Sequence, residues 1–333
     1  MQISHLGSHS ATGICLPGSF AVSATRRPVG ASNFTNVRNF TTIGLTGEIA
    51  VFRVGLAAIL LFLTGEGVFA HDLNKAEELY RRTAYEESLS LLDKKSSDSA
   101  TNFLLGRNYF MLGDFKKAVE YFGNATSISP ENSEYMDWLG RAYGRRAEMS
   151  SFLSAPGFAV KARSAFEAAV RLDPKNSEAL SDLFDYYLNA PGFMGGGYDK
   201  AKDVADKIAA VDPPEGYHVK AQLAQHRKEY GDAEQALRRA VAVAPHEVGH
   251  MITLAKFLAN QGRTRESDAI FAAAEKANPA APQLWFARAA TLIKSKRNLD
   301  EAKNLLQKYV QASITADDPP KEEATRLLKQ VTQ

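Results

Sequence analysis

The stretch from Leu105 to Pro130, LGRNYFMLGDFKKAVEYFGNATSISP, constrains the fold more than any other. Leu105, Tyr109 and Leu112 step at helical spacing, and Gly113-Asp114 breaks the pattern. Phe115, Ala118, Val119 and Phe122 resume it, and Pro130 stops it. This predicts two short antiparallel helices. Small residues stand where the two must meet, Gly106 on the first and Ala118 and Ala125 on the second, because larger ones would push the axes beyond the ~8–10 Å of packed helices. One such hairpin cannot cover its own apolar side, so the pattern has to recur if the chain is to fold.

It does recur. A weaker unit comes first, with Ala76 and Leu79, then Tyr85, Ser88 and Leu92. A third has Leu139-Gly140 and Tyr143, then Ala162, Phe166, Ala169 and Pro174. A fourth has Leu180, Leu183 and Tyr187, then Ala201, Ala205, Ile208 and Pro213. The fifth, ending at Pro245, keeps Ala233, Leu237 and Ala240 but lacks the Leu-Gly pair. The sixth has Met251, Leu254, Ala255 and Leu258, then Gly262, Phe271, Ala274 and Pro279, and a seventh has Trp285, Ala289, Leu292, Ala302, Leu306 and Tyr309. Tyr109, Phe122, Tyr143, Phe166, Trp285 and Tyr309 fall at core positions, which reads as packing and not as a cofactor box. After Pro319-Pro320, the helical pattern Lys321 to Val331 sets Ala324, Leu327, Leu328 and Val331 against a charged face, as a cap on the last apolar surface would.

The order Leu-Gly-x-x-Tyr, Ala-x-x-x-Phe, Pro resembles the tetratricopeptide repeat, a helix–turn–helix unit of about 34 residues. The resemblance implies an all-α, right-handed superhelical solenoid of six to seven units over residues 71–318, closed by a capping helix over 319–333. It also implies that the exposed face of each first helix lines a concave groove that holds a protein or peptide. Carried over onto this sequence, that face comprises Phe103, Arg107, Phe110, Asp137, Arg141, Arg145, Asp185, His218, Gln222, His226, Lys256 and Asn260. Arg107, Arg141 and Arg145 are expected to form a positive patch for carboxylates of a partner. The word Ala-Pro-Gly-Phe occurs at 155–158 and again at 190–193, between the two helices of adjacent units. Pro156, Phe158, Pro191 and Phe193 are therefore expected on two neighbouring loops that touch the partner.

Ahead of the repeats, residues 1–50 are rich in Ser, Thr, Gly and Asn, and Glu48 is their one acidic residue, a composition that cannot bury a core. Arg53, the apolar run Val54 to Leu63 and Val68-Phe69-Ala70 then read as an export signal cut after Ala70, which places the protein in the periplasm or outside the cell. The run falls short of the ~20 residues that span a bilayer. The alternatives are an uncleaved anchor at 54–65, or a bipartite leader to an organelle lumen. The late position of the signal favours a start codon assigned too far upstream.

The remaining composition narrows the function. The formal charge is +2, and four arginines (26, 27, 38 and 53) but only two glutamates (48 and 66) precede residue 71, so the body is electrically balanced. Without a basic run it offers no footprint for nucleic acid. The single cysteine, Cys15, lies in the leader, so the body can form no internal disulfide. His246-Glu247-Val248-Gly249-His250 matches the H-E-x-x-H pattern of zinc proteases. Pro245 fills the unit-terminating position, however, which puts His246 in a turn, and no third ligand follows at G-x-x-H spacing. Gly195-Gly196-Gly197 lacks the spacing of a nucleotide-binding loop. The reading is a non-enzymatic interaction scaffold with no cofactor, no metal and no small-molecule substrate. A metalloprotease using His246 and His250, or an assembly factor for envelope complexes, are the alternatives.

Overall fold

The computed structural model describes residues 72–315 and 318–332, and the leader lies outside them. The described residues contain no strand. Fourteen helices form seven consecutive antiparallel pairs: α1 (72–81) with α2 (Tyr85–Leu91), α3 (Ser99–Met111) with α4 (Phe115–Ile128), α5 (Ser133–Glu148) with α6 (Ala155–Leu172), and α7 (Ser177–Asn189) with α8 (Tyr198–Val211). They continue as α9 (Pro213–His226) with α10 (Tyr230–Val243), α11 (Val248–Asn260) with α12 (Thr264–Ala277), and α13 (Pro282–Lys294) with α14 (Leu299–Gln311). A terminal helix, α15 (Lys321–Thr332), follows. From α3 onward each helix packs on the next, and first helices also pack side by side at α3–α5, α5–α7 and α11–α13. The result is a solenoid.

Helix starts follow local chemistry. Asp98, Asp114, Asn132, Asn176 and Asp212 each accept a hydrogen bond from a backbone N–H of the following turn, satisfying donors that have no partner inside the helix. Gly113 and Gly262 close their tight turns at φ 79° and 76°, the left-handed region that glycine enters without a Cβ clash.

Close approach between paired helices is carried by the small residues. A Cβ on Gly106 would stand 2.6 Å from the Phe122 ring, and one on Gly140 would stand 2.6 Å from that of Phe166. In the fifth unit, which lacks the Leu-Gly pair, the approach has moved. Gly216 of α9 lies against Ala209 of α8, where an added Cβ would come within 2.5 Å.

Buried polar links reinforce the stack. Ser88 Oγ donates to the Ala76 carbonyl at 2.7 Å and accepts from Asn108 Nδ2 at 3.0 Å, tying three helices together. Ser133 does the same between Ala169 and Asn176, at 2.9 and 2.8 Å. The buried apolar side chains gather into five successive clusters along the chain, each spanning one to three units. Ala324 is fully buried against α13 and α14, with Leu327 and Leu328 half-buried beside it, so α15 covers the end of the stack.

Candidate functional site: the face of the first helices

Successive first helices present one register to a common face, and the charge on that face changes along the solenoid. At α3 and α5 the Arg107 guanidinium carbon sits 4.1 Å from the centre of the Tyr80 ring and 5.5 Å from those of Phe103 and Trp138. The cation is thus held by aromatic faces. The Arg141 guanidinium carbon lies 4.9 Å from the centre of the same Trp138 ring. Its Nη2 is 3.0 Å from Asp137 Oδ2 and 2.7 Å from Glu178 Oε2, and its Nε is 2.5 Å from Asp182 Oδ2.

This is an ion network of three carboxylates around one guanidinium. The Asp137 side chain is 1% exposed and that of Arg141 8%. Burial pushes the Asp137 carboxyl well above the usual aspartate range; Arg141 opposes that shift, while Asp182 and Glu178 add to it. Glu134 lies at the rim. Enough protein surrounds its carboxyl to raise its pKa too, with Arg107 countering and Glu178 reinforcing the shift.

These placements correct the expected positive patch. Arg107 is sandwiched, Arg141 is buried among acids, and Arg145 is ion-paired to Glu148 and stacked 5.1 Å over Phe115. Phe103 and Asp137, expected on the open groove, are buried instead. Phe103 stacks on Tyr135 with ring centres 4.4 Å apart. The physical reason is side-by-side packing of α3, α5 and α7, which turns that register toward the next first helix as much as toward solvent. Phe110 is half-buried against Phe115 and Trp138, and Asp185 is half-buried on α7.

Beyond α7 the face turns basic. His218 of α9 and His250 of α11 have ring centres 6.5 Å apart, and the exposed His226 lies 6.1 Å from Tyr198. Gln222 is half-buried between His218 and His226 along α9. Lys294 of α13 donates to Asn260 Oδ1 at 2.8 Å. Lys256, one turn before Asn260, has its pKa lowered, first by burial of the ammonium and then by the Lys294 charge, although its residue as a whole is exposed. Two ammonium groups therefore share a region poor in acids, where Glu323 is the opposing charge acting on Lys256.

Sequence reasoning missed Glu134, Glu178, Asp182, Trp138 and Lys294. One signal was available, because Glu134, Glu178 and Glu215 all occupy the first turn of successive first helices.

The H-E-x-x-H residues are divided. Helix α11 starts at Val248, so His246 stands exposed in the preceding turn while His250 faces His218. Among the described residues, no group of three or more His, Cys, Asp or Glu side chains is placed to hold a metal ion.

The two Ala-Pro-Gly-Phe words adopt different structures, which corrects the expectation of matching loops. Residues 155–158 form the first turn of α6, where Pro156 needs no N–H partner and Phe158 stacks against Tyr143. Residues 190–193 are a true connection, with Pro191 half-buried and Phe193 80% exposed.

The sequence model of the tetratricopeptide repeat matches residues 99–132 and 252–317. A solved tetratricopeptide repeat protein from Parabacteroides merdae aligns with 80% of this chain and 100% of its own at 16% identity, with a TM-score of 0.51. A thermophilic protein of the same repeat class from Thermus thermophilus aligns with 57% of this chain and 98% of its own at 20% identity, with a TM-score of 0.48. No curated protein sequence matches the chain.

Proposed function

We propose that this chain, which belongs to the tetratricopeptide repeat superfamily, is a non-enzymatic scaffold that holds an extended segment of a partner protein along the face of its first helices. The observation that carries this reading is the division of charge on that face. Near α5 and α7, Glu134, Asp137, Glu148, Glu178, Asp182 and Asp185 outnumber Arg107, Arg141 and Arg145; near α11 and α13, Lys256 and Lys294 stand together with Glu323 as the opposing charge on Lys256. A segment with cationic residues opposite α5–α7 and carboxylates opposite α11–α13 complements it, and the pairing would fix the direction in which the segment lies.

A photoreactive residue at Gln222, at the centre of the face, should crosslink such segments from the native host. Lys256→Glu with Lys294→Glu should reduce their capture at least tenfold, with far-UV circular dichroism unchanged and with the remaining capture less sensitive to salt. Crosslinked segments without this asymmetry, or capture untouched by the double reversal, overturn the reading.

Export before binding is part of the same proposal. It is supported by the apolar run and by Val68-Phe69-Ala70, which ends on the small residue expected just before a signal-peptidase cut. Terminal sequencing of the protein recovered from its compartment should begin at His71. An intact leader would refute cleavage.

A further inference from the structure

We propose that the edge of the solenoid formed by the α5–α6 and α7–α8 connections docks on an anionic lipid surface. Turns within the other pairs are tight, such as Leu112–Asp114 and Gln261–Arg263. These two are longer, and they carry the most exposed large apolar side chains of the described residues: Met149 at 71%, Phe152 at 74%, Leu153 at 89% and Phe193 at 80%.

The exposure is built into the fold. Phe152 and Leu153 are the two central residues of a turn closed by the Ser154 N–H donating to the Ser151 carbonyl at 2.9 Å, with the Ser151 and Ser154 hydroxyls also 2.9 Å apart. Both side chains are thereby directed away from the solenoid. In the second connection Met194 is tucked inside, and its carbonyl accepts from Tyr186 Oη at 2.8 Å and from Arg163 Nη1 at 3.2 Å. Gly196 rests on the Ala190 carbonyl so closely that a Cβ would fall 1.8 Å from its oxygen. With Met194 and Gly196 held on the inner side, Phe193 is left pointing out.

The charges at the base of these tips favour an anionic surface. Arg146 lies 4.2 Å over the Phe158 ring, and Lys161 lies 5.6 Å from that of Tyr143. Lys200 donates to the Gly195 carbonyl. Among the described residues none of the three is ion-paired, whereas Glu148 and Glu167 at the same edge are matched by Arg145 and Arg163; Asp199, in the first turn of α8, is an opposing acid there. Separate apolar tips above a net cationic base suit a fluid bilayer. Its surface closes around isolated side chains, with lipid phosphates meeting the cations, whereas a rigid protein partner needs a continuous apolar area.

The test puts a tryptophan at each tip of the full chain, Phe152→Trp and Phe193→Trp, and one at the opposite edge, Val243→Trp. Vesicles are made of brominated phosphatidylcholine with a quarter phosphatidylglycerol. Quenching beyond the parent protein's background should be at least twofold at both tips and absent at position 243. It should fall with zwitterionic vesicles and with Arg146→Glu/Lys161→Glu. No quenching at the tips overturns the proposal. So does equal quenching at all three sites, which would mean that the apolar leader alone holds the chain to lipid. Shielding of the tips without vesicles that grows with protein concentration also overturns it, and would assign the edge to a second copy.

Discussion

Replacing Arg141 by alanine is expected to cost about 3–5 kcal/mol of stability, because it leaves three carboxylates facing one another with no cation between them. Asp137 is buried, Asp182 is 15% exposed and Glu178 only partly open, so water cannot take over the role of the guanidinium. Hydrogen exchange should accelerate first in α5 and α7, the helices the network joins.

The opposite change should be mild. Asp137→Asn removes one of three negative charges and leaves two for Arg141. The sign of its pH effect follows from the raised pKa. A carboxyl that holds its proton more tightly in the folded chain than in the unfolded chain adds stability as pH falls through its raised value toward the ordinary 3.8, and that contribution is lost as pH rises. The wild-type denaturation midpoint should therefore gain from this group on mild acidification, and Asp137→Asn should flatten that slope. Glu234 and Glu266 have lowered pKa values and act in the other direction, but they lie at the surface, where such pairs contribute little. A slope unchanged in Asp137→Asn, or a small loss in Arg141→Ala, would mean that the network is hydrated.

The second large effect lies at the helix–helix contact of the α3–α4 pair. Phe122 is fully buried, and its ring covers the space above Gly106. Phe122→Ala should cost about 3–5 kcal/mol through lost burial and the cavity left behind. Gly106→Ala should cost about 1–3 kcal/mol, since its methyl collides with the ring. Together they should cost less than the sum, because the new methyl enters the vacated space. A coupling of roughly 0.5–3 kcal/mol in a double-mutant cycle by denaturant unfolding is expected, and strict additivity would contradict the contact.

That contact was legible in the sequence because it is local in pattern. Gly106 and Phe122 hold set positions on the two helices of their unit, and Gly140 and Phe166 hold the same positions although the connection between them is longer. The charged network was not legible. Arg141 meets partners 37 and 41 residues away in sequence, and only side-by-side packing of α5 on α7 decides that its register faces a neighbour and not the groove. The repeated Ala-Pro-Gly-Phe word failed as a guide for a related reason. Identical residues start a helix when Ala159-Val160-Lys161 follow, and form a connection when Met194 and three glycines follow, with Gly195 at φ 90°. Identity over four positions does not outweigh what comes next in the chain.

The division of the interior into five clusters has a mechanical corollary. Under tension applied at its two ends, the molecule has no single clasp whose rupture frees everything. Hairpins would peel away in turn, each of about 34 residues releasing on the order of 100 Å of slack, and a tether built this way yields in graded steps and rewinds from whatever remains folded.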